Sequence, residues 1–221
     1  DTHFVPPVSN FDLINVTGDV FELNGLDTIQ LKDFKHLVIN GALITKNKRE
    51  VLFTPHLQIS SSINQSNVLG IAPHFKSLVN QHVSNDTLYI YFQKNNINEN
   101  NLKRLNYSLM ILKTNNLQSL NTKNLTCNVE NLLTRKPFVV TAEKSGITMT
   151  NIKSDLLTLR LGTNSYVNLL GSQNVGDKIE NLKYSLAKGA YINIPNRATV
   201  GKITCLNPSK NINEFYNQSF S

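Results

Sequence analysis

The sequence predicts an all-β chain, a right-handed parallel β-helix (solenoid) with a less regular β-rich N-terminal half. Three observations predict it. Apolar residues scarcely recur at the helical period. Short runs of strand-forming residues, bounded by Asn, Gly, Ser or Pro, fill the chain instead. In the second half these runs return at a pitch near twenty residues, the mark of a coil whose turns bury their faces against one another. A β-sandwich also shows short strands with turn punctuation, and it is the competing architecture.

In the first hundred residues strands are expected at Asp12–Val16, Val20–Leu23, Thr28–Leu31, His36–Asn40, Ala42–Thr45, Leu57–Ser60, Val68–Ile71 and Leu88–Phe92. The last follows a turn at Ser84-Asn85-Asp86. His74–Val83 reads as one or two helical turns or a further strand, and Lys94–Arg104 as a polar connector. From Tyr107 two series interleave. One is Leu109–Leu112, Phe138–Thr141, Leu156–Leu161, Ile179–Leu182 and Lys202–Leu206. The other is Leu125–Val129, Ile147–Ile152, Tyr166–Leu170 and Tyr191–Ile194. Steps of 20 from Val139 to Leu159 and from Leu159 to Ile179, then 24 to Ile203, suggest the register. Alternation places Leu125, Cys127 and Val129 on one face, and Ile192 and Ile194 opposite Tyr191 and Asn193. The division expected is a spacer over 1–10, one domain over 11–206 (irregular over 11–100, regular rungs over 107–206) and a tail over 207–221.

Composition sharpens this. Asn supplies 32 of 221 residues and Gly only ten, so Asn is a candidate for turn positions that glycine would otherwise take; an A/T-rich genome is the other explanation. Six N-x-S/T sequons, at Asn15, Asn64, Asn85, Asn106, Asn124 and Asn217, are about what this composition gives by chance. No apolar run reaches the ~18 residues of a membrane helix. The start, Asp1-Thr2-His3, has neither basic nor apolar leader, as expected of an exported periplasmic or extracellular protein whose signal peptide has been removed.

The residues also resemble a family. Leu156–Gly171, with Leu159-Arg160-Leu161-Gly162-Thr163-Asn164-Ser165-Tyr166, is similar to the repeated rung of the head GIN domain, the putative auto-transporter adhesin family (DUF2807). So is Lys188-Gly189-Ala190-Tyr191-Ile192-Asn193-Ile194-Pro195. Phe11–Val20 resembles that family's opening strand, and Val79–Ile90 its mid-domain strand. Several rung-turn glycines are Asn or Lys here. The resemblance implies an exported bacterial β-helix with an adhesin-like role and supplies no catalytic residues.

Catalytic and cofactor patterns are absent from the sequence. His3, His36, His56, His74 and His82 form no H-x-x-x-H or H-E-x-x-H, and there is no C-x-x-C, G-x-S-x-G or phosphate loop. No metal, cofactor or catalytic residue is therefore assigned. Parallel β-helices do host polysaccharide lyases and hydrolases, which use clustered carboxylates. The candidates for such a cluster are Asp177 with Glu180, and a ladder of Glu130, Asp155 and Asp177 at steps of 25 and 22.

Charge points elsewhere. Residues 101–221 hold fifteen Lys and Arg against six acids; residues 1–100 hold seven against nine. A basic solenoid attracts an anionic glycan, lipopolysaccharide or envelope surface, with Lys144, Lys153 and Lys183 as candidate contacts. Five Arg among 22 basic residues, no Trp and no basic-aromatic motif argue against nucleic acid. The function expected is non-enzymatic surface recognition or adhesion. A polysaccharide-active enzyme and a structural envelope protein are the alternatives. Cys127 and Cys205 are expected to be unbridged and turned inward. Three to four rungs separate them by ~14–19 Å, against the ~7 Å limit between bridged Cα atoms.

Overall fold

A computed structural model describes residues 23–45, 50–52, 55–61, 66–94, 109–170, 177–195, 198–207 and 215–216. The expected strands Asp12–Val16 and Val20–Leu23 and the connector Lys94–Arg104 lie almost wholly outside them. The fold is all-β, with two large mixed sheets. The first sheet runs Asp27–Gln30 (β1), Val68–Ile71 (β5), Leu109–Thr114 (β8), His56–Ser61 (β4), Thr126–Glu130 (β10), Gly146–Thr150 (β13), Tyr166–Leu169 (β15), Tyr191–Asn193 (β17) and Phe215–Tyr216 (β19). The second runs Val79–Ser84 (β6), Thr87–Lys94 (β7), His36–Thr45 (β2), Ser119–Lys123 (β9), Phe138–Glu143 (β12), Lys153–Leu161 (β14), Lys178–Leu186 (β16) and Thr199–Cys205 (β18). Glu50–Leu52 (β3) pairs with β2, and Leu133–Thr134 (β11) with β14.

From β9 onward the chain alternates between the sheets, save that β11 and β12 both lie in the second, and every pairing is parallel. In the first sheet Thr126 pairs Gly146, Gly146 pairs Tyr166, and Tyr166 pairs Tyr191, steps of 20, 20 and 25. In the second, Val139 pairs Thr158, Thr158 pairs Lys183, and Lys183 pairs Thr204. The expected matches are therefore shifted: Val139 pairs Thr158 rather than Leu159, Leu159 pairs Tyr184 rather than Ile179, and Ile179 pairs Val200 rather than Ile203. Both sheets take their step of 25 across the segment 171–176, which precedes β16, so even spacing misreads the register there.

Two further expectations are corrected. Leu109–Leu112 does not join the series of Phe138–Thr141; it lies in the first sheet between β5 and β4. Its place beside β12 is taken by Ser119–Lys123, a run with one large apolar residue, Leu120. Alternation there is nevertheless clear, with Leu120 and Thr122 buried and Asn121 and Lys123 exposed. The second correction concerns order along the stack. β2 sits between β7 and β9, and β4 between β8 and β10. The N-terminal strands thus occupy one end of each sheet's path, but out of chain order and with β8 inserted between β5 and β4. His74–Val83 becomes a 3-10 turn at Lys76–Leu78 followed by β6, which pairs antiparallel with β7.

Asn does supply the turns. Asn124, Lys144, Asn164 and Gly189 each stand two residues before β10, β13, β15 and β17, with φ of 54°, 49°, 52° and 72°. Asn131 and Asn151, at 57° and 56°, turn the chain back toward the second sheet. Among the described residues, five of the seven non-glycine positions with positive φ are Asn, whose short amide tolerates that region. The corners also bond to one another. The Asn124 N–H donates to the Glu143 carbonyl and the Lys144 N–H to the Thr163 carbonyl, both at 3.0 Å. The Asn151 amide donates to Asn131 Oδ1 at 2.6 Å.

The inward residues of both sheets form one core, including Leu120, Cys127, Val129, Phe138, Val140, Ile147, Leu159, Val167, Leu182 and Ile192. Burying each such side chain stabilises the fold by ~1.5–3 kcal/mol. The core thins at β18, the last strand of the second sheet among the described residues. Ile203, inward beside Leu182, is 45% exposed. Cys205 is accordingly half-exposed rather than buried, while Cys127 is fully buried.

Candidate functional site

Because the strands pair in parallel register, like positions stack into rows on the outside of each sheet. On the first sheet one outward row runs through Gln58, Asn128, Thr148, Asn168 and Asn193, one from each of β4, β10, β13, β15 and β17. All five are half-buried. Beside it runs a second row, His56, Thr126, Gly146, Tyr166 and Tyr191. The Tyr166 and Tyr191 rings stack with centroids 5.3 Å apart and planes 10° from parallel. Gly146 makes room for them: a Cβ there would sit 2.3 Å from the Tyr166 ring. The phenol end of Tyr166 therefore occupies the space over the glycine of the neighbouring strand. Burial pushes its phenol above the ordinary range and holds His56 below its own, which keeps both groups neutral near pH 7.

The outward side of the second sheet is different. At the β6–β7 end His82 stacks on Tyr89 at 4.9 Å and meets Tyr91 edge-on at 6.2 Å. His36 Nδ1 lies 2.8 Å from the Ser119 hydroxyl. Toward β18 the exposed residues become basic, with Arg160, Lys178, Lys183 and Lys202. Lys178 pairs with Glu180 at 3.0 Å.

The three lysines singled out in the sequence fall in separate places. Lys144 occupies a corner, Lys153 opens β14 beside Lys178, and Lys183 lies mid-strand between Thr158 and Thr204. Lys144 and Lys153 stand beyond opposite ends of β13. The structure also separates the acids. Glu130 is in the first sheet, where burial raises its carboxyl above the usual range. Asp155 is exposed on β14. Asp177 is buried, and its Oδ1 accepts the Ile152 N–H at 2.8 Å, which is a corner-bracing role. Among the described residues no three His, Cys, Asp or Glu side chains group closely enough to hold an ion.

A cleft of about 420 Å³ is lined by Asp33, Phe34, Lys35, Asp86, Asn115 and Asn116. Lys35 Nζ donates to Asp86 Oδ2 at 2.5 Å, and that bond holds the Asp86 carboxyl below its ordinary range. The pair is mostly solvated, so its contribution to stability is small.

Sequence reasoning did not single out the Tyr166–Tyr191 stack or the amide row. Their signal is present: Asn128, Thr148, Asn168 and Asn193 recur at steps of 20, 20 and 25, one position after Cys127, Ile147, Val167 and Ile192. Reading the outward as well as the inward position of each strand reveals them.

No known family profile and no curated protein sequence matches the chain. Solved structures do. A protein from Parabacteroides distasonis described as a putative lipid binding protein superposes with a TM-score of 0.50 at 12% identity, over 81% of this chain and 76% of that one. A putative adhesin from Parabacteroides merdae gives 0.43 at 12% identity, over 81% and 75%. One from Bacteroides fragilis gives 0.42 at 11%, over 86% and 93%. At these identities the first of them speaks for the fold alone.

Proposed function

We propose that this chain is a non-enzymatic, exported bacterial recognition protein that works by surface contact, built as one β-helical solenoid of the head GIN type. The observation that carries this reading is the stacking of outward residues in register, which turns short strands into flat, repeated contact faces. The alternation of strands between two sheets at steps of 20 and 25 supports the solenoid, and the resemblance of Leu156–Gly171 supports the family.

The basic outward surface over β14, β16 and β18, together with Lys144 and Lys153, is suited to an anionic glycan or to lipopolysaccharide. The lipid-binding description of the Parabacteroides distasonis protein makes lipopolysaccharide a natural probe. The test is an array of acidic glycans, neutral glycans and lipopolysaccharide, read at low and high salt. Binding to an anionic probe should fall with salt, since exposed charges are screened. Reversal of Lys144, Lys153 and Lys183 to Glu should weaken it. Salt-independent anion binding, or none, would remove the basic face from the account; release of reducing or unsaturated sugar ends would overturn the non-enzymatic reading.

A further inference from the structure

We infer that the outward face of the first sheet, from β10 to β17, is a binding platform for a neutral polysaccharide chain. The inference rests on the surface-recognition reading but not on its basic face. Three features of the face converge on an uncharged, polyhydroxylated ligand.

The first is the Tyr166–Tyr191 stack. Both rings are half-exposed, and the phenol end of Tyr166 is seated in the space over Gly146. A rigid aromatic surface covers the apolar C–H face of a pyranose ring at little cost in side-chain entropy, and its hydroxyls remain available at the rim.

The second is the neighbouring amide row. Gln58, Asn128, Asn168 and Asn193 each carry a donor and an acceptor, and Thr148 carries a hydroxyl with both roles. Sugar hydroxyls also donate and accept, so this row offers matched partners along its length. The strands are ~4.8 Å apart, close to the advance of one sugar along an extended polysaccharide. The row thus presents one polar group per sugar, and the tyrosines flank it on one side.

The third is charge. From Thr126 to Tyr191 and from Asn128 to Asn193, the two rows carry no ionised side chain at neutral pH. The basic residues Arg160, Lys183 and Lys202 are on the other sheet. The remaining outward residue of β10, Glu130, is acidic, so an anionic polymer gains nothing electrostatic from these two rows, whereas a neutral one is matched to them.

The test is affinity electrophoresis of the full chain through gels containing soluble neutral polysaccharides: hydroxyethylcellulose, xyloglucan, galactomannan and xylan. Dextran sulfate and lipopolysaccharide form the anionic arm. At least one neutral polymer should retard the protein equally at low and high salt. Tyr191→Ala should weaken that retardation by about fivefold or more, the loss typical of an aromatic anchor. Asn168→Ala should weaken it by about twofold to tenfold, the range for one hydrogen bond. Tyr191→Phe should preserve it, and urea midpoints of all variants separate loss of binding from loss of fold. Retardation by neutral polymers that survives Tyr191→Ala in a folded variant overturns the platform. So does retardation by the anionic polymers alone, which leaves the surface-recognition reading in place. Absence of retardation in both arms overturns both readings.

Discussion

Lys144 is the exception in its column of corners, and replacing it should stabilise the protein. The three aligned positions carry Asn124, Asn164 and Gly189, residues suited to positive φ, whereas Lys144 holds φ 49° with a long side chain and no local amide. An ordinary L-residue there costs ~1–2 kcal/mol. Lys144→Gly removes that strain, but glycine loses ~0.4–1 kcal/mol more backbone freedom on folding. The net gain expected is about 0.5–1 kcal/mol. Lys144→Asn should gain a similar amount, since Asn reduces the strain without the added flexibility. For a chain of this size 1 kcal/mol moves the melting midpoint by roughly 2–4 °C. Urea unfolding followed by far-UV circular dichroism is the assay. The midpoint should rise with an unchanged slope, because the surface exposed on unfolding does not change. Asn164→Ala is the converse variant, with an expected loss of about 1 kcal/mol. Destabilisation by both Lys144 substitutions, with Asn164→Ala neutral, would refute the assignment of this column to left-handed corners.

Other consequences are as direct. Denatured, unreduced protein should show two free thiols; in the native state Cys205 should react readily while Cys127, buried and with its thiol pushed far up by desolvation, should stay protected. A mass two hydrogens short would contradict this. Asp177→Ala should lower stability by roughly 1–3 kcal/mol, because it leaves the buried Ile152 N–H without its acceptor. His56 gives a pH signature. Burial depresses its folded pKa below about 6.5, so the unfolded chain takes up the proton first as pH falls. Its contribution is thus lost progressively below about pH 6.5 until the folded pKa is passed. His56→Gln should flatten that part of the urea-midpoint profile relative to the unmodified protein; an unchanged difference between pH 7.5 and pH 5.5 would count against a buried, neutral imidazole.

Much of the architecture was legible because strand alternation and turn chemistry are local. Leu125, Cys127 and Val129 announce a half-buried strand by themselves, and Asn-rich junctions announce corners. Stacking order is not local. Nothing near His36–Thr45 says that its neighbours are Thr87–Lys94 and Ser119–Lys123, because parallel pairing is set by core packing between distant segments. Ser119–Lys123 escaped for the complementary reason: its inward positions hold one Leu and one Thr, so the tertiary setting supplies the strand. The candidate face was hidden because hydrophobic pattern reading follows the inward residues. Tyr166, Tyr191 and the amide row are outward, and only the register brings them together.

That register is the claim on which the faces depend, and a disulfide trap tests it most directly. In a background with Cys127→Ser and Cys205→Ser, the pair Thr148→Cys and Asn168→Cys falls on adjacent, directly matched positions of β13 and β15. Neighbouring strands are ~4.8 Å apart, within the span of ~4.4–6.8 Å between bridged Cα atoms. The account predicts rapid bridging under mild oxidation. It predicts none for Asn128→Cys with Asn168→Cys, which lie two strands apart at ~9.6 Å. Bridging of the second pair and not the first would contradict the stacked rows and the contact faces built on them.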